Sequence, residues 1–440
     1  MICWESVKKE AADYLSQLIQ INTSNPPGNE LHAIEFIKEI AHNNGLYTDI
    51  QITAPNRGNI IVSLTNEYCD PIVLLSHVDV VPAKESDWEV PPFSGQVIND
   101  VLWGRGAIDA KQLTITHLMV LILLKRNNIT LDKNILMIAT SDEENGSDFG
   151  LKRLIQEREC LFHNSIVFNE GGGFPIVINE QPYYLVEMGQ KGVARFKITV
   201  SNGKQSNAYL PNNNSIKEIN HIIERIKNIE IDEQLPKVTK KMFEIISEGE
   251  GFPFSKNNVN DFLKRVPVHL KDMFSAMMGT TFSITRWHGG RKHPDVNDRM
   301  EIFVDCRTHP MVDRATMETY LEKIVKNSGA TYELVSFDQG YEMVIDHTKL
   351  KIFEQSLHSE VDNAVIVPYL SIGSSDSRLL PTSQTEVYGY CPMLPDMPFN
   401  KVIQMVHGVN ERIPLESLRF GIKNMYEILL SIGGKVHDVR

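Results

Sequence analysis

Apolar positions in the first part of the chain follow two alternating periods. Over residues 4–21 they recur every three or four positions, with Val7, Ala11, Leu15, Leu18 and Ile19 on one side, which predicts an amphipathic helix. NTSNPPGNE then interrupts the pattern, because Pro26, Pro27 and Gly28 do not continue a helix. A second helix is predicted near 31–43. Short apolar runs at 49–53, 59–63, 72–75, 134–139 and 165–168 read as strands, with helices at 111–125 and 150–158 among them. Alternation with short connections predicts an α/β fold: a mostly parallel central sheet flanked by helices.

Beyond Gly189 the pattern changes. VARFKITV at 193–200 alternates as a half-buried strand, and 215–228 has the spacing of an amphipathic helix. Strands at 281–287, 300–306 and 331–337 and a helix at 312–327 complete a β-α-β-β-α-β order, which predicts a separate ferredoxin-like α+β domain. The stretch 230–280 shows helical character near 258–274 and no assigned role. From about 341 the first pattern resumes, with helices at 347–359 and 415–431 and strands at 364–367 and 385–389. The expected organisation is a catalytic domain in two parts, 1–188 and 341–440, split by an inserted lid or dimerisation domain at 189–340.

Bulk properties narrow the function classes. The 440 residues are 42% apolar, ordinary for a globular protein with a sizeable core. A formal net charge of −12 leaves no basic footprint for nucleic acid and argues against an anionic membrane partner. The five cysteines are scattered, odd in number and form no CxxC pair, so free thiols in a reducing compartment are expected. No signal peptide is read at the N-terminus, and the longest apolar run, 118–124, is too short to span a bilayer. Cytoplasmic residence is the expectation.

The chemistry gathers where predicted strands end. His77 and Asp79 follow PIVLLS, Asp109 follows the Gly-rich turn of GRGAIDAKQ, Asp142-Glu143-Glu144 follow NILMIAT, and Glu170 closes SIVFNE. Any one of these is ordinary alone: a structural His, a turn Asp, a solvated Glu pair. Several strands delivering carboxylates to the same kind of position suggest a hydrolytic metal site instead. In His-x-Asp both side chains share one side of an extended segment, so His77 can bind a metal while Asp79 orients its ring. Asp109 could bridge two cations. Of Glu143 and Glu144, one can bind metal while the other takes a proton from water. Imidazole mixed with carboxylates suits zinc. By contrast His117, inside THLMVLILL, reads as packed, and Gly171-Gly172-Gly173 lacks the spacing of a phosphate loop.

At these residues the chain resembles the zinc metallopeptidase family of aminoacylase, carboxypeptidase G, succinyl-diaminopimelate desuccinylase and acetylornithine deacetylase. NTSNPPGNE, SHVDVVP, DWEVPPFSG, LWGRGAIDAK, SDEENGS, NEGGG, GSSDSR and HGVNERIP occur in that family's order across most of the chain. The resemblance implies metal ligands His77, Asp109, Glu144, Glu170 and His407, with Asp109 bridging two zinc ions and cobalt as a substitute metal. His77 and Glu144 would serve opposite metals. Glu143 would be the general base, Asp79 would orient His77, and the Asp109–Ala110 peptide would be cis. Arg378 would receive the substrate carboxylate, a task suited to a bidentate fork.

Two departures stand out. Where the family has DMKGG, this chain has Asp109-Ala110-Lys111-Gln112-Leu113. Where the family's lid carries GHxSxP, this chain has Asn207 in place of the histidine that helps hold an oxyanion; an amide donates a hydrogen bond but carries no charge. The expected function is a di-zinc hydrolase that cleaves the amide bond of N-acyl amino acids or short peptides with a free carboxylate, with no nucleic-acid or membrane partner and a candidate homodimer through the inserted domain. Two alternatives accompany it: a biosynthetic N-succinyl or N-acetyl diamino acid deacylase, and a metal-binding member with little catalysis because its lid is altered.

Overall fold

The computed structural model describes residues 2–68, 70–203, 215–231, 233–252, 254–255, 259–289, 298–434 and 437–438. Its larger layer is a sheet whose central strands, Ile135–Thr140, Ile72–His77, Ser165–Asn169 and Thr385–Gly389, run parallel. Antiparallel strands extend both flanks: Arg57–Ser63 and Tyr47–Ala54 on one side, Gln181–Gln190 on the other. The central strands are apolar almost throughout because both faces are covered. Period-two alternation sends Ile72 and Leu74 into one core, while Val73 and Leu75 pack into another with Leu151, Leu154 and Phe162. The first core is closed by the helices Trp4–Gln20, Lys111–Arg126 and Leu415–Ile432, which pack on one another.

The second layer is a four-stranded antiparallel sheet in the order Thr281–Gly289, Asp298–Thr308, Gly192–Gly203, Ala330–Asp338. Helices Ser215–Lys227 and Arg314–Val325 cover one face, where Phe196, Ile198, Ile302, Ile222 and Leu321 form a core of their own. This is the ferredoxin-like arrangement expected from the β-α-β-β-α-β order.

Residues 237–276 fall in the stretch that the sequence leaves without a role. Helices Lys237–Gly249, Val259–Arg265 and Val268–Ala276 send Val238, Met242, Phe243, Phe262 and Phe274 into the core of the larger layer. The first of these helices lies on the strand Val365–Ser371. Phe243 stacks at 4.7 Å on Phe262 and 5.3 Å on Phe274, so the segment carries its own aromatic centre. Among the described residues no helix is long and apolar enough to cross a membrane.

Candidate metal centre

Parallel strands bring their C-terminal ends to one edge, and ligands in such folds gather there. His77 ends the strand Ile72–His77, Glu143 and Glu144 follow Ile135–Thr140, and Glu170 follows Ser165–Asn169. Asp142, at φ 68°, turns the chain so that Glu143 and Glu144 come back over the sheet edge. His407 arrives from the second part of the chain, just after the helix Phe399–Met405.

Asp109 sits on a loop held from behind by Glu411. That buried carboxylate accepts hydrogen bonds from the amides of Gly106 (3.0 Å), Ile108 (2.6 Å) and Asp109 (2.9 Å) and from Arg105 Nη1 (2.7 Å). Gly104 is required because a Cβ there would lie 2.4 Å from Ile19 Cγ2 and its φ is +155°. The Asp109–Ala110 peptide is cis, as the resemblance implies.

The side chains converge. Asp109 Oδ1 lies 3.1 Å from His77 Nε2, and its other oxygen, Oδ2, lies 3.1 Å from His407 Nε2. Glu144 Oε2 is 2.9 Å from the same His407 nitrogen, and Glu170 Oε2 is 3.7 Å from His77 Nε2. Arg378 Nη1 stands 4.0 Å from Glu143 Oε1. Asn207 lies outside the described residues. His288 is exposed on the small sheet, paired with Glu301 at 3.3 Å.

Asp79 faces His77 with both its main chain and its carboxylate. His77 Nδ1 donates to the main-chain carbonyl of Asp79 at 2.9 Å, with the Asp79 carboxylate 3.5 Å away. That carboxylate also accepts from the amides of Glu143 and Glu144, each at 3.1 Å, and from Asn25 Nδ2 at 2.9 Å. It therefore fixes the turn that presents both glutamates. Asn25 also bonds Asp142 Oδ1 at 2.9 Å, and Arg57 joins Glu30 to Asp142 behind it. Asn25 and Glu411 have no role assigned from sequence. Their signal was present: both lie in quoted motifs, NTSNPPGNE and HGVNERIP.

The electrostatics are those of a dense, buried donor set. Burial and the neighbouring Asp109 push the Glu144 carboxyl up to about 7. Burial, reinforced by Glu170, holds Glu143 well above the carboxylate range. Hydrogen bonds to Asp109 and Glu144 raise His407 to about 10. Burial disfavours the charged ring of His77, yet Glu170, Asp109 and Asp79 outweigh it and lift its pKa well above the ordinary value. Glu144 Oε1 is buried with no hydrogen-bond partner among the described residues. Ligand atoms of His77, Asp109 and Glu144, and of His77, Glu143 and Glu170, lie within 4.8 Å of one another in each group. Two imidazoles with several carboxylates, one oxygen orphaned, fit a hard-to-borderline divalent metal.

The cluster opens into a cavity of about 760 Å³. Asp109, Glu143, Glu144, Glu170, His407 and Arg378 contribute to its walls, as do Phe174, Met393, Phe399, Ile403 and Val406. Gln112 and Leu113, the two departures from the family glycines, also line it. Gln112 Oε1 accepts from Cys391 Sγ at 3.3 Å.

The profile of peptidase family M20/M25/M40 matches residues 73–431. The mouse (Mus musculus) N-fatty-acyl-amino acid synthase/hydrolase PM20D1 is 25% identical over 387 residues, spanning 82% of this chain and 73% of the relative. Probable carboxypeptidase S-like 2 of Dictyostelium discoideum is 21% identical over 382 residues, spanning 83% and 72%. In fold, the M20 family metallo-carboxypeptidase Sso-CP2 from Sulfolobus solfataricus superposes with a TM-score of 0.69 at 18% identity, covering 96% of this chain and 98% of that one. Human carnosine dipeptidase 1 gives 0.64 at 15% identity, with 98% of each chain covered. The chain belongs to peptidase family M20/M25/M40 and is a metal-dependent hydrolase of that family.

Proposed function

We propose that this chain is a two-zinc hydrolase cleaving the amide bond of N-acyl amino acids or short peptides that carry a free carboxylate. The observation that carries the reading is Asp109, whose two oxygens each face a different imidazole at 3.1 Å. His77 and Glu170 would hold one cation, Glu144 and His407 the other, with Asp109 shared. Bound divalent cations supply Lewis-acid polarisation of the carbonyl and acidify water.

The chain's own residues then act in sequence. Glu143, freed from metal duty, takes a proton from the attacking water and returns it to the leaving nitrogen. Asp79 holds the amides of Glu143 and Glu144, so the base keeps its place as its charge changes. Arg378 offers its guanidinium to the substrate carboxylate, and its main chain and Nη1 are tied to Ser375 O, the latter at 2.6 Å. Asn207 would add an amide donor from the lid. The apolar part of the cavity, with Phe174, Phe399 and Val406, supports an apolar acyl group or side chain. That fits the substrates named for PM20D1.

The test is a panel of N-acyl amino acids, dipeptides and a succinylated diamino acid, with metal content measured alongside. Chelation should abolish turnover and two equivalents of zinc should restore it. Glu143→Ala should lower kcat by about 10²- to 10⁴-fold while metal content holds. Turnover that survives Glu143→Ala would sink the mechanism.

A further inference from the structure

The strand Gln181–Gln190 carries a bulge beside the catalytic cavity. Its partners on the parallel strand Val365–Ser371 are Tyr369 for Glu187, Leu370 for Gly189 and Ser371 for Gln190, so one extra residue is accommodated between Glu187 and Gly189. Residues three apart on a regular strand face opposite sides; the bulge brings Glu187 and Gln190 onto one side. Both line the cavity together with Tyr369 and Ser371.

Neither side chain is exposed at all, and each has one satisfied end and one orphan. Glu187 Oε1 accepts from the Tyr341 hydroxyl at 2.8 Å, while Oε2 has no partner among the described residues. Gln190 Nε2 donates to Ser375 Oγ at 3.1 Å, while Oε1 has none. Glu187 Oε2 packs against Gly171: a Cβ there would stand 2.0 Å from it, at a φ of +109°. Buried acceptors of this kind are ordinarily paired. Two orphan oxygens on one wall, one of them on a carboxyl group, suit a ligand with several donors and a positive charge. An ammonium has three donors and no acceptor.

We propose that Glu187 and Gln190 form an ammonium-binding subsite in the catalytic cavity, which selects substrates carrying a free amine beside the scissile amide. The subsite adjoins the loop of Arg378, because Ser375 both accepts from Gln190 and anchors the arginine. Carboxylate and amine of one substrate would thus be read on neighbouring wall segments. The inference rests on the hydrolase reading above and narrows its substrate class.

Three matched substrates test it on the zinc-loaded protein: a dipeptide with a free N-terminal amine, its N-acetylated form, and an N-acetylated dipeptide ending in lysine. An amine-bearing substrate should be favoured in kcat/KM by roughly 10- to 100-fold, the range of a charge-assisted hydrogen bond. Preference for the first assigns the N-terminal amine; preference for the third alone assigns a side-chain amine. Glu187→Gln retains an acceptor for Tyr341 and turns a donor toward the cavity, so it should cut the preference at least tenfold. Gln190→Glu adds charge and should raise it. The ratio within one variant does not depend on the fraction folded. Equal rates on all three, unmoved by either variant, would overturn the subsite, leave the hydrolase reading standing and give the two oxygens to ordered water. Failure on these substrates and on the acyl panel would overturn the hydrolase reading, and this inference with it.

Discussion

His117 lies wholly buried within the helix Lys111–Arg126, with neither ring nitrogen bonded among the described residues. Its place in THLMVLILL already reads as packing. Burial alone pushes its pKa down to about 3. The sign of the consequence follows. An imidazole that stays neutral when folded binds fewer protons than the unfolded chain below about pH 6.5. Its stabilising share is whole above that value and is lost as pH falls toward about 3. The loss is at most about 1.4 kcal/mol per pH unit. His117→Leu should remove this slope and raise stability most at acid pH, as measured by urea unfolding from pH 4 to 7. Parallel curves for the two proteins would refute the assignment. Asp79 teaches the complementary lesson: the residue type and its place beside His77 were legible, but its hold on the amides of Glu143 and Glu144 depends on a turn geometry that a sequence does not state.

At the scale of elements, the loop that presents Asp109 depends on one side chain three hundred residues away. Glu411 satisfies three loop amides and Arg105, and burial raises its pKa despite those partners. Glu411→Ala would orphan all of them and leave the Arg105 charge buried. It should cost about 3–5 kcal/mol in denaturant unfolding and weaken zinc binding, as followed by metal titration. Glu411→Gln, which keeps an acceptor, should cost less in both. A metal affinity unchanged in the alanine variant would show that the loop keeps Asp109 in place unaided. Elements were legible where an apolar period ran long and ended in chemistry, as at Ile72–His77 and Ile135–Thr140. Helical character near 258–274 was legible too, as Val259–Arg265 and Val268–Ala276, but the helix Lys237–Gly249 and the packing of all three were not. Their amphipathic spacing says that a face must be covered, and not by which layer; the partner strand Val365–Ser371 comes far later in the chain. Asn25–Asp79 and Glu411–Asp109 were hidden for the same reason, being pairings across sequence rather than patterns within it.

For the whole molecule, the cavity takes its walls from both sheets: Arg195 and Arg307 come from the small one, the metal cluster from the edge of the large one. The relation between the layers therefore shapes what the site can bind. The chain passes between them at Lys191, after the strand Gln181–Gln190 and before Gly192–Gly203. The buried Lys191 donates from Nζ to Ala276 O (2.8 Å), Gly279 O (2.6 Å) and Thr281 Oγ1 (3.1 Å), while its amide bonds Ser371 O (3.0 Å). One side chain thus ties the end of the helix Val268–Ala276, the start of a small-sheet strand and the crossing point together. Cations near a helix C-terminus are also favoured by its exposed carbonyls. Lys191→Met keeps the apolar stem and removes all three donors, leaving buried carbonyls unpaired at about 1–3 kcal/mol each. It should lower unfolding free energy by about 2–4 kcal/mol once the relief of burying an ammonium is set against that loss. Because the metal ligands all lie on the large layer or its loops, KM should rise by a larger factor than kcat falls. A variant that loses kcat and metal together, with KM unmoved, would place Lys191 in support of the metal centre rather than of the seam between the sheets.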